Sequence, residues 1–172
     1  IEVGRKHSMY SINGETIPFM LGIKHKIADK LVYSKVRERM GGRLKFFVSG
    51  GAPLSQEIGE FFAAAGITIL EGYGLTETSP VLSSNSPDGL RYGSVGKPLF
   101  NVEVKIADDG EIIAKGPSIM KGYYNNEEAT NVAIDPNGWF HTGDIGEFDA
   151  DGYLKITDRK KNILVTSGGK NV

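Results

Sequence analysis

Hydrophobic positions change their spacing partway along this chain. Over residues 17–40, Ile23, Ile27, Leu31, Val36 and Met40 recur every three to five positions, and Gly41 and Gly42 follow as a stop. That period predicts one amphipathic helix. LKFFV at 44–48 predicts a short strand. Residues 54–65 predict a helix, with Pro53 and Ser55 marking its start and Ile58, Phe61, Phe62 and Ala65 on one face. GITIL at 66–70 predicts a second, buried strand. Strand, helix, strand with short connections is the unit from which right-handed crossovers build a parallel sheet. Beyond about residue 83 the spacing becomes that of short β segments. VEVKI at 102–106 alternates, DDG at 108–110 is a turn, and EIIAK at 111–115 completes a hairpin. Further segments at 138–140, 145–148 and 153–156, the last pair separated by a DADG turn, predict a small distorted β-barrel. The expected fold class is therefore α/β. Part of a parallel-sheet subdomain occupies 1–88 and a β-barrel subdomain 89–160, with the boundary in the Ser, Asn, Pro, Asp and Gly cluster at 85–91.

Composition narrows this picture only slightly. With 40% hydrophobic and 24% charged residues in 172, the chain has the makeup of an ordinary globular protein. The absence of cysteine excludes a disulfide framework and a Cys-based zinc site, and fits a reducing, cytoplasmic setting. No segment has the length of a membrane span or the layout of a signal peptide. Ile1 in place of a methionine, and an end at Val172 directly after a Gly-Gly pair, read as cuts rather than natural termini. Charge is uneven beneath the net value of -1. Residues 24–45 hold eight Lys or Arg against two acids, a balance of +6, whereas 46–172 hold ten against seventeen, a balance of -7. The basic segment suits a solvated helix face. It also suits a phosphate-bearing ligand or the headgroups of an anionic membrane, so peripheral membrane contact through 24–45 is an expectation. With Tyr33 its one interleaved aromatic, the segment does not suit nucleic acid.

Chemistry concentrates in GYGLTETSPV at 72–81. Gly72 and Gly74 let backbone approach a ligand, Tyr73 offers a stacking face, and Thr76 sets a hydroxyl beside the carboxylate of Glu77. An aromatic ring can lie on a purine, a hydroxyl can donate to phosphate, and a carboxylate can hold a Mg2+ that also touches phosphate. SGGAP at 49–53 leaves the predicted sheet one strand away, so both loops can line one pocket.

GYGLTETSPV resembles the adenine motif of the adenylate-forming superfamily, and matches its fatty-acid branch almost letter for letter. Other stretches follow in the family's order: SGGAP, GEIIAKGP with MKGYY at 120–124, WFHTGD at 139–144, ITDRKKNI at 156–163 and VTSGGKNV at 165–172. From about residue 44 onward the chain is similar to AMP-forming long-chain fatty acid–CoA ligases. The resemblance implies ATP, a fatty acid and coenzyme A as substrates, AMP as a product and Mg2+ as the metal. It implies that Tyr73 stacks on adenine, within a nucleotide site including Gly51, Ala52, Pro53, Glu71, Gly72 and Gly74. Thr76 would donate to the α-phosphate, Glu77 hold Mg2+, and Asp144 grip the ribose. Arg159 would reach the ribose or the α-phosphate and stabilise negative charge, and Lys161 would sit at a hinge, with 161–172 opening a further domain. The GE hairpin and the GYY segment receive no catalytic role, and His141 counts as positional support. SGGK at 167–170 is no P-loop, because the required glycine spacing and following Ser or Thr are absent. The family's triphosphate loop and its C-terminal lysine have no counterpart in these residues. The alternatives are another adenylate-forming enzyme, luciferase-like or a peptide-synthetase adenylation domain, and a non-catalytic nucleotide-binding module.

Overall fold

The structure, a computed structural model, describes residues 2–160. Helix α1 (Glu2–Ile12) precedes α2 (Phe19–Ala28), which runs through a π-helical turn at Asp29–Tyr33 into α3 (Ser34–Arg39). Strand β1 (Phe46–Ser49), helix α4 (Gln56–Ala64) and strand β2 (Thr68–Gly74) then form the expected crossover, with β1 parallel to β2. β3 (Val81–Ser84) and β4 (Lys97–Pro98) add antiparallel, so the first sheet has the order β1-β2-β3-β4. The α/β class holds, but the sheet is mixed: a tight turn after β2 sends the chain straight back, and a strand that returns this way pairs antiparallel. The first sheet also takes in residues 97–98, past the expected boundary at 88.

A second sheet of order β5-β6-β7-β8 is an antiparallel meander that curls as a half-barrel. It comprises β5 (Glu103–Ile106), β6 (Glu111–Lys115), β7 (Phe140–Phe148) and β8 (Leu154–Arg159), with α5 (Glu127–Ala133) between β6 and β7. The predicted 102–106/111–115 hairpin is present, with Lys105 opposite Ile113. Phe140, which ends the segment predicted at 138–140, and the segment predicted at 145–148 belong to one strand, whose register shifts between Ile145 and Gly146. The two sheets share a core of Tyr73, Leu82, Val102, Ile112, Ala114 and Leu154. They are also tied by backbone: Val95 N donates to Leu154 O and Leu154 N to Gly96 O, each at 2.8 Å. Gly96 permits this seam, since a Cβ there would lie 1.8 Å from the Ser84 carbonyl carbon at φ +81°.

The helices depart further from expectation. Ile23, Ile27, Leu31 and Met40, read from their period as a buried face, are exposed, and Phe19 and Met20 continue that stripe. Tyr33 and Val36 turn inward instead, against Ala65, Ile67 and Phe62. On α4, Ile58 and Phe61 are likewise exposed, and the buried side is Gly59, Glu60 and Ala64. On α4 the cause is α1, which sequence periodicity did not reveal. Gly4 brings α1 so close to α4 that a Cβ would lie 2.8 Å from Ala64 Cβ. Arg5 pairs with the buried Glu60, and Ser8 Oγ donates to Ala63 O at 2.9 Å. Small residues thus face the neighbouring helix, and the large apolar ones face outward.

Candidate functional site

Parallel pairing of β1 with β2 sets the two glycine-rich segments side by side. Ser49 lies opposite Glu71, and a Cβ on Gly50 would be 3.4 Å from Gly72 O. Gly51 takes φ +83°, which turns the loop back toward Ala52 and Pro53. Leu54 N donates to Glu71 Oε1 at 3.1 Å and closes that loop onto β2. Burial raises the Glu71 carboxyl above its usual range, partly offset by this amide.

The decapeptide is not a loop throughout. Glu71 to Gly74 remain strand, paired with β3, and the register shifts between Tyr73 and Gly74. Gly74 is required by the protein's own backbone rather than by a ligand, because a Cβ there would lie 1.7 Å from Pro80 O. The chain then makes a short 3-10 turn at Thr76–Thr78 and enters the left-handed region at Ser79, φ 55°. Thr78, fully buried, holds this turn closed: its Oγ1 accepts from Leu75 N at 2.9 Å and faces the carbonyls of Leu75 and Pro80. Thr76 is left exposed and Glu77 half-buried at the tip.

Tyr73 departs from its expected role. Stacking needs an open ring face, yet Tyr73 is 7% exposed within the core shared by the two sheets. Its hydroxyl donates to Asp144 Oδ2 at 2.7 Å. Burial first, and the Asp144 carboxylate next, push the phenol well above its ordinary value, so it remains a donor at neutral pH.

Asp144 and Arg159, fifteen residues apart in sequence, lie directly opposite on β7 and β8. Arg159 Nε donates to Asp144 Oδ1 at 2.8 Å. Asp144 is 2% exposed, and both its oxygens meet the protein's own donors. A ribose diol reaches it only by displacing Arg159, whose side chain is 40% exposed. Lys161 and the segment after it lie outside the described residues.

Two side chains that pattern reading left without a role complete the site. Glu111, buried on β6, accepts from Gly143 N at 2.8 Å and from Lys160 Nζ at 2.9 Å, and lies 2.8 Å from His141 Nδ1. Burial opposes its ionisation, but His141, Lys160 and Gly143 outweigh that and hold the carboxyl below its usual range. It thereby fixes the turn that carries Asp144. Tyr123 hydroxyl donates to Glu77 Oε1 at 2.9 Å. Burial and the Glu77 carboxylate raise this phenol too, which keeps it protonated.

Among the described residues no group of three or more His, Cys, Asp or Glu converges on a metal position. A single available carboxylate, Glu77, still fits Mg2+, which usually keeps several waters and takes one or two protein carboxylates plus substrate phosphates. Two concavities lie elsewhere, one beside Tyr10, Pro18, Met20 and Leu21, another beside Arg91, Tyr92 and Tyr153. Gly51, Pro53 and Thr76 are exposed, and Ala52 and Glu77 half-buried.

The profile of the AMP-binding enzyme family matches residues 17–124, well over half of the chain. The chain belongs to the AMP-binding enzyme family. Among its relatives, the long-chain-fatty-acid–CoA ligase FadD15 of Mycobacterium bovis is 50% identical over 153 residues, covering 89% of this chain and 25% of that protein. The putative fatty-acid–CoA ligase fadD11 of Mycobacterium tuberculosis is 43% identical over 173 residues, covering all of this chain and 30% of that protein. Among solved structures, a malonyl-CoA ligase with methylmalonyl-CoA and AMP bound superposes with a TM-score of 0.66 at 39% identity, over 74% of this chain and 30% of that one. The o-succinylbenzoate CoA synthetase of Bacillus subtilis with ATP and magnesium gives 0.62 at 37% identity, over 74% and 29%. The AMP-binding chain described here thus spans between a quarter and a third of these relatives.

Proposed function

We propose that this AMP-binding chain is part of a long-chain fatty acid–CoA ligase. In the first step an oxygen of the fatty acid carboxylate attacks the α-phosphorus of ATP, the α–β bridging P–O bond breaks, and pyrophosphate leaves. In the second, the sulfur of coenzyme A attacks the acyl carbon, the bond to the AMP oxygen breaks, and the thiol proton is lost. Adenylation turns a poor leaving oxygen into a good one, so positioning and charge neutralisation at phosphate account for most of the catalysis.

The observation that carries this reading is the pairing of Ser49 with Glu71 and of Asp144 with Arg159, joined through the Tyr73 hydroxyl on Asp144, in a chain 50% identical to a long-chain ligase. Gly51, Ala52, Pro53, Glu71 and Gly72 border the purine; Thr76 donates to the α-phosphate. Arg159 leaves Asp144 for the nucleotide's negative charge, and Asp144 then accepts from the ribose hydroxyls while Tyr73 holds its other oxygen. Mg2+, held by Glu77, neutralises phosphate charge when bound.

A finer part of the proposal is peripheral contact with anionic membrane through 24–45. Its support is the exposed Lys24, Lys26 and Lys30 beside exposed Ile23, Ile27 and Leu31. No helix among the described residues is long and apolar enough to cross a membrane. Co-sedimentation of the full-length protein with phosphatidylserine vesicles, against the triple variant with glutamate at those lysines, tests the contact. Equal binding by both proteins, or none by either, removes it.

Acyl-CoA formation by the full-length protein, assayed with fatty acids of graded length and with amino acids and aryl acids, tests the substrate class. Turnover should be confined to fatty acids; turnover of amino or aryl acids alone would place the chain elsewhere in the superfamily.

A further inference from the structure

The MKGYY segment has been assigned no chemistry, yet it holds Glu77, the proposed metal ligand, at two points. Met120 N donates to the main-chain carbonyl of Glu77 at 2.8 Å, and the Tyr123 hydroxyl donates to its Oε1 at 2.9 Å. The second bond uses one carboxylate oxygen, and Oε2 carries no bond from another described residue.

Tyr123 is itself held from behind. Its amide donates to Thr130 Oγ1 at 2.9 Å, and that hydroxyl donates to Asn126 O at 2.8 Å. Asn126 Oδ1 accepts from Ala129 N at 3.0 Å and caps α5, which carries Thr130. Gly122 lets the segment press against the helix, since a Cβ there would lie 2.7 Å from Thr130 Cγ2. A chain of defined contacts therefore runs from α5 through Thr130 and Tyr123 to Glu77. A tyrosine with only a packing role would point its ring inward, but Tyr123 is 40% exposed and spends its polar end on a carboxylate.

We propose that Tyr123 is a positioning residue for the metal: it fixes the rotamer of Glu77 through Oε1 and leaves Oε2 directed to Mg2+. This rests on the reading of Glu77 as the Mg2+ ligand. Without the phenol, the half-buried Glu77 must be ordered by the metal itself, and metal-dependent nucleotide binding weakens while metal-free binding does not.

The test uses the full-length protein without fatty acid, so that no turnover occurs. Mn2+, which shares the octahedral oxygen preference of Mg2+, serves as probe. Binding of Mn2+-ATP is followed by electron paramagnetic resonance, and binding of ATP in chelator by calorimetry. Tyr123→Phe should raise the Kd for Mn2+-ATP about five- to tenfold, in line with loss of one partly solvent-exposed hydrogen bond, and leave the Kd for metal-free ATP unchanged. Thr130→Val, which keeps the side-chain shape but removes the acceptor behind Tyr123, should shift the same constant in the same direction by less. Unchanged Mn2+-ATP binding in Tyr123→Phe overturns the proposal, as does an equal loss with and without metal, which would mark a merely structural role. Glu77→Gln separates the two layers. If it leaves Mn2+-ATP binding intact, the Glu77 assignment fails and the proposal with it; if it weakens binding and Tyr123→Phe does not, only the proposal fails.

Discussion

Tyr73→Phe is the most informative single change, because it removes one oxygen atom and leaves the ring packed. The Tyr73 hydroxyl donates to Asp144 Oδ2 at 2.7 Å across the boundary between the two sheets. Asp144 is 2% exposed, so water cannot replace the lost donor, and Arg159 Nε at Oδ1 becomes the remaining side-chain partner. Hydrogen bonds to charged groups contribute about 1.5–3 kcal/mol, and a buried carboxylate that keeps Arg159 as a second partner stands toward the lower part of that range. We take about 2 kcal/mol. With a urea dependence of roughly 2 kcal/mol per molar, the unfolding midpoint should fall by about 1 M. Trp139 is the chain's one tryptophan and precedes β7, with Lys105 Nζ 3.8 Å from its ring centroid, so its fluorescence reports on the half-barrel. A double-mutant cycle with Asp144→Asn isolates the pair: the cost of Tyr73→Phe should drop by at least 1 kcal/mol in that background. A midpoint shift below about 0.2 M at unchanged slope, or equal costs in both backgrounds, would refute the account of Tyr73 as the holder of Asp144.

Glu111→Gln should destabilise the half-barrel at neutral pH. The native carboxyl titrates below its usual value, so its contribution is complete above about pH 4.5 and is lost as pH falls through the native pKa; urea titrations at pH 6 and pH 3 should therefore show the wild-type advantage shrinking in acid, and an advantage independent of pH would contradict this. Gly74→Ala should cost roughly 3 kcal/mol, because its Cβ would meet Pro80 O at 1.7 Å and neither backbone segment can yield cheaply; a change under about 0.5 kcal/mol in the same titration would show that the turn relaxes. The 172-residue chain by itself should give no acid-dependent ATP–pyrophosphate exchange, since it spans a quarter of a relative such as FadD15; robust exchange would show that the described residues suffice.

What was legible in sequence was mostly local. The crossover of β1, α4 and β2 and the β5–β6 hairpin follow from apolar spacing and turn residues, and the motif order placed Asp144 and Arg159 in one site before their pairing across β7 and β8 was seen. Periodicity failed where a neighbour was unknown. Ile23, Ile27 and Leu31 have a helical period yet are exposed, while on α4 the helix α1 selects the small-residue side through Gly4 and Ala64, and nothing in the spacing of α1 itself signalled that. Tyr73 looked like a ligand-facing aromatic because it lies between glycines. Burial along β2 does not alternate, since Ile69 and Leu70 are both buried and Glu71 and Gly72 both half-buried, and the second sheet packs over Tyr73 and turns it inward. Glu111 and Tyr123 were invisible as site residues because their partners, Gly143 and Glu77, are more than thirty positions away. Only the charged residue that opens EIIAK, on a strand buried from Glu111 to Ala114, hinted at Glu111.

On the proposed function, these residues help adenylate a fatty acid. The most direct measurement is exchange of labelled pyrophosphate into ATP by the full-length protein, with and without palmitate, for wild type and Asp144→Ala. The account predicts palmitate-dependent exchange in the wild type and a loss of at least a hundredfold in the variant, the scale on which mispositioned reactants lose rate. Exchange that ignores palmitate and every other fatty acid, or that survives the loss of Asp144 unchanged, would contradict it.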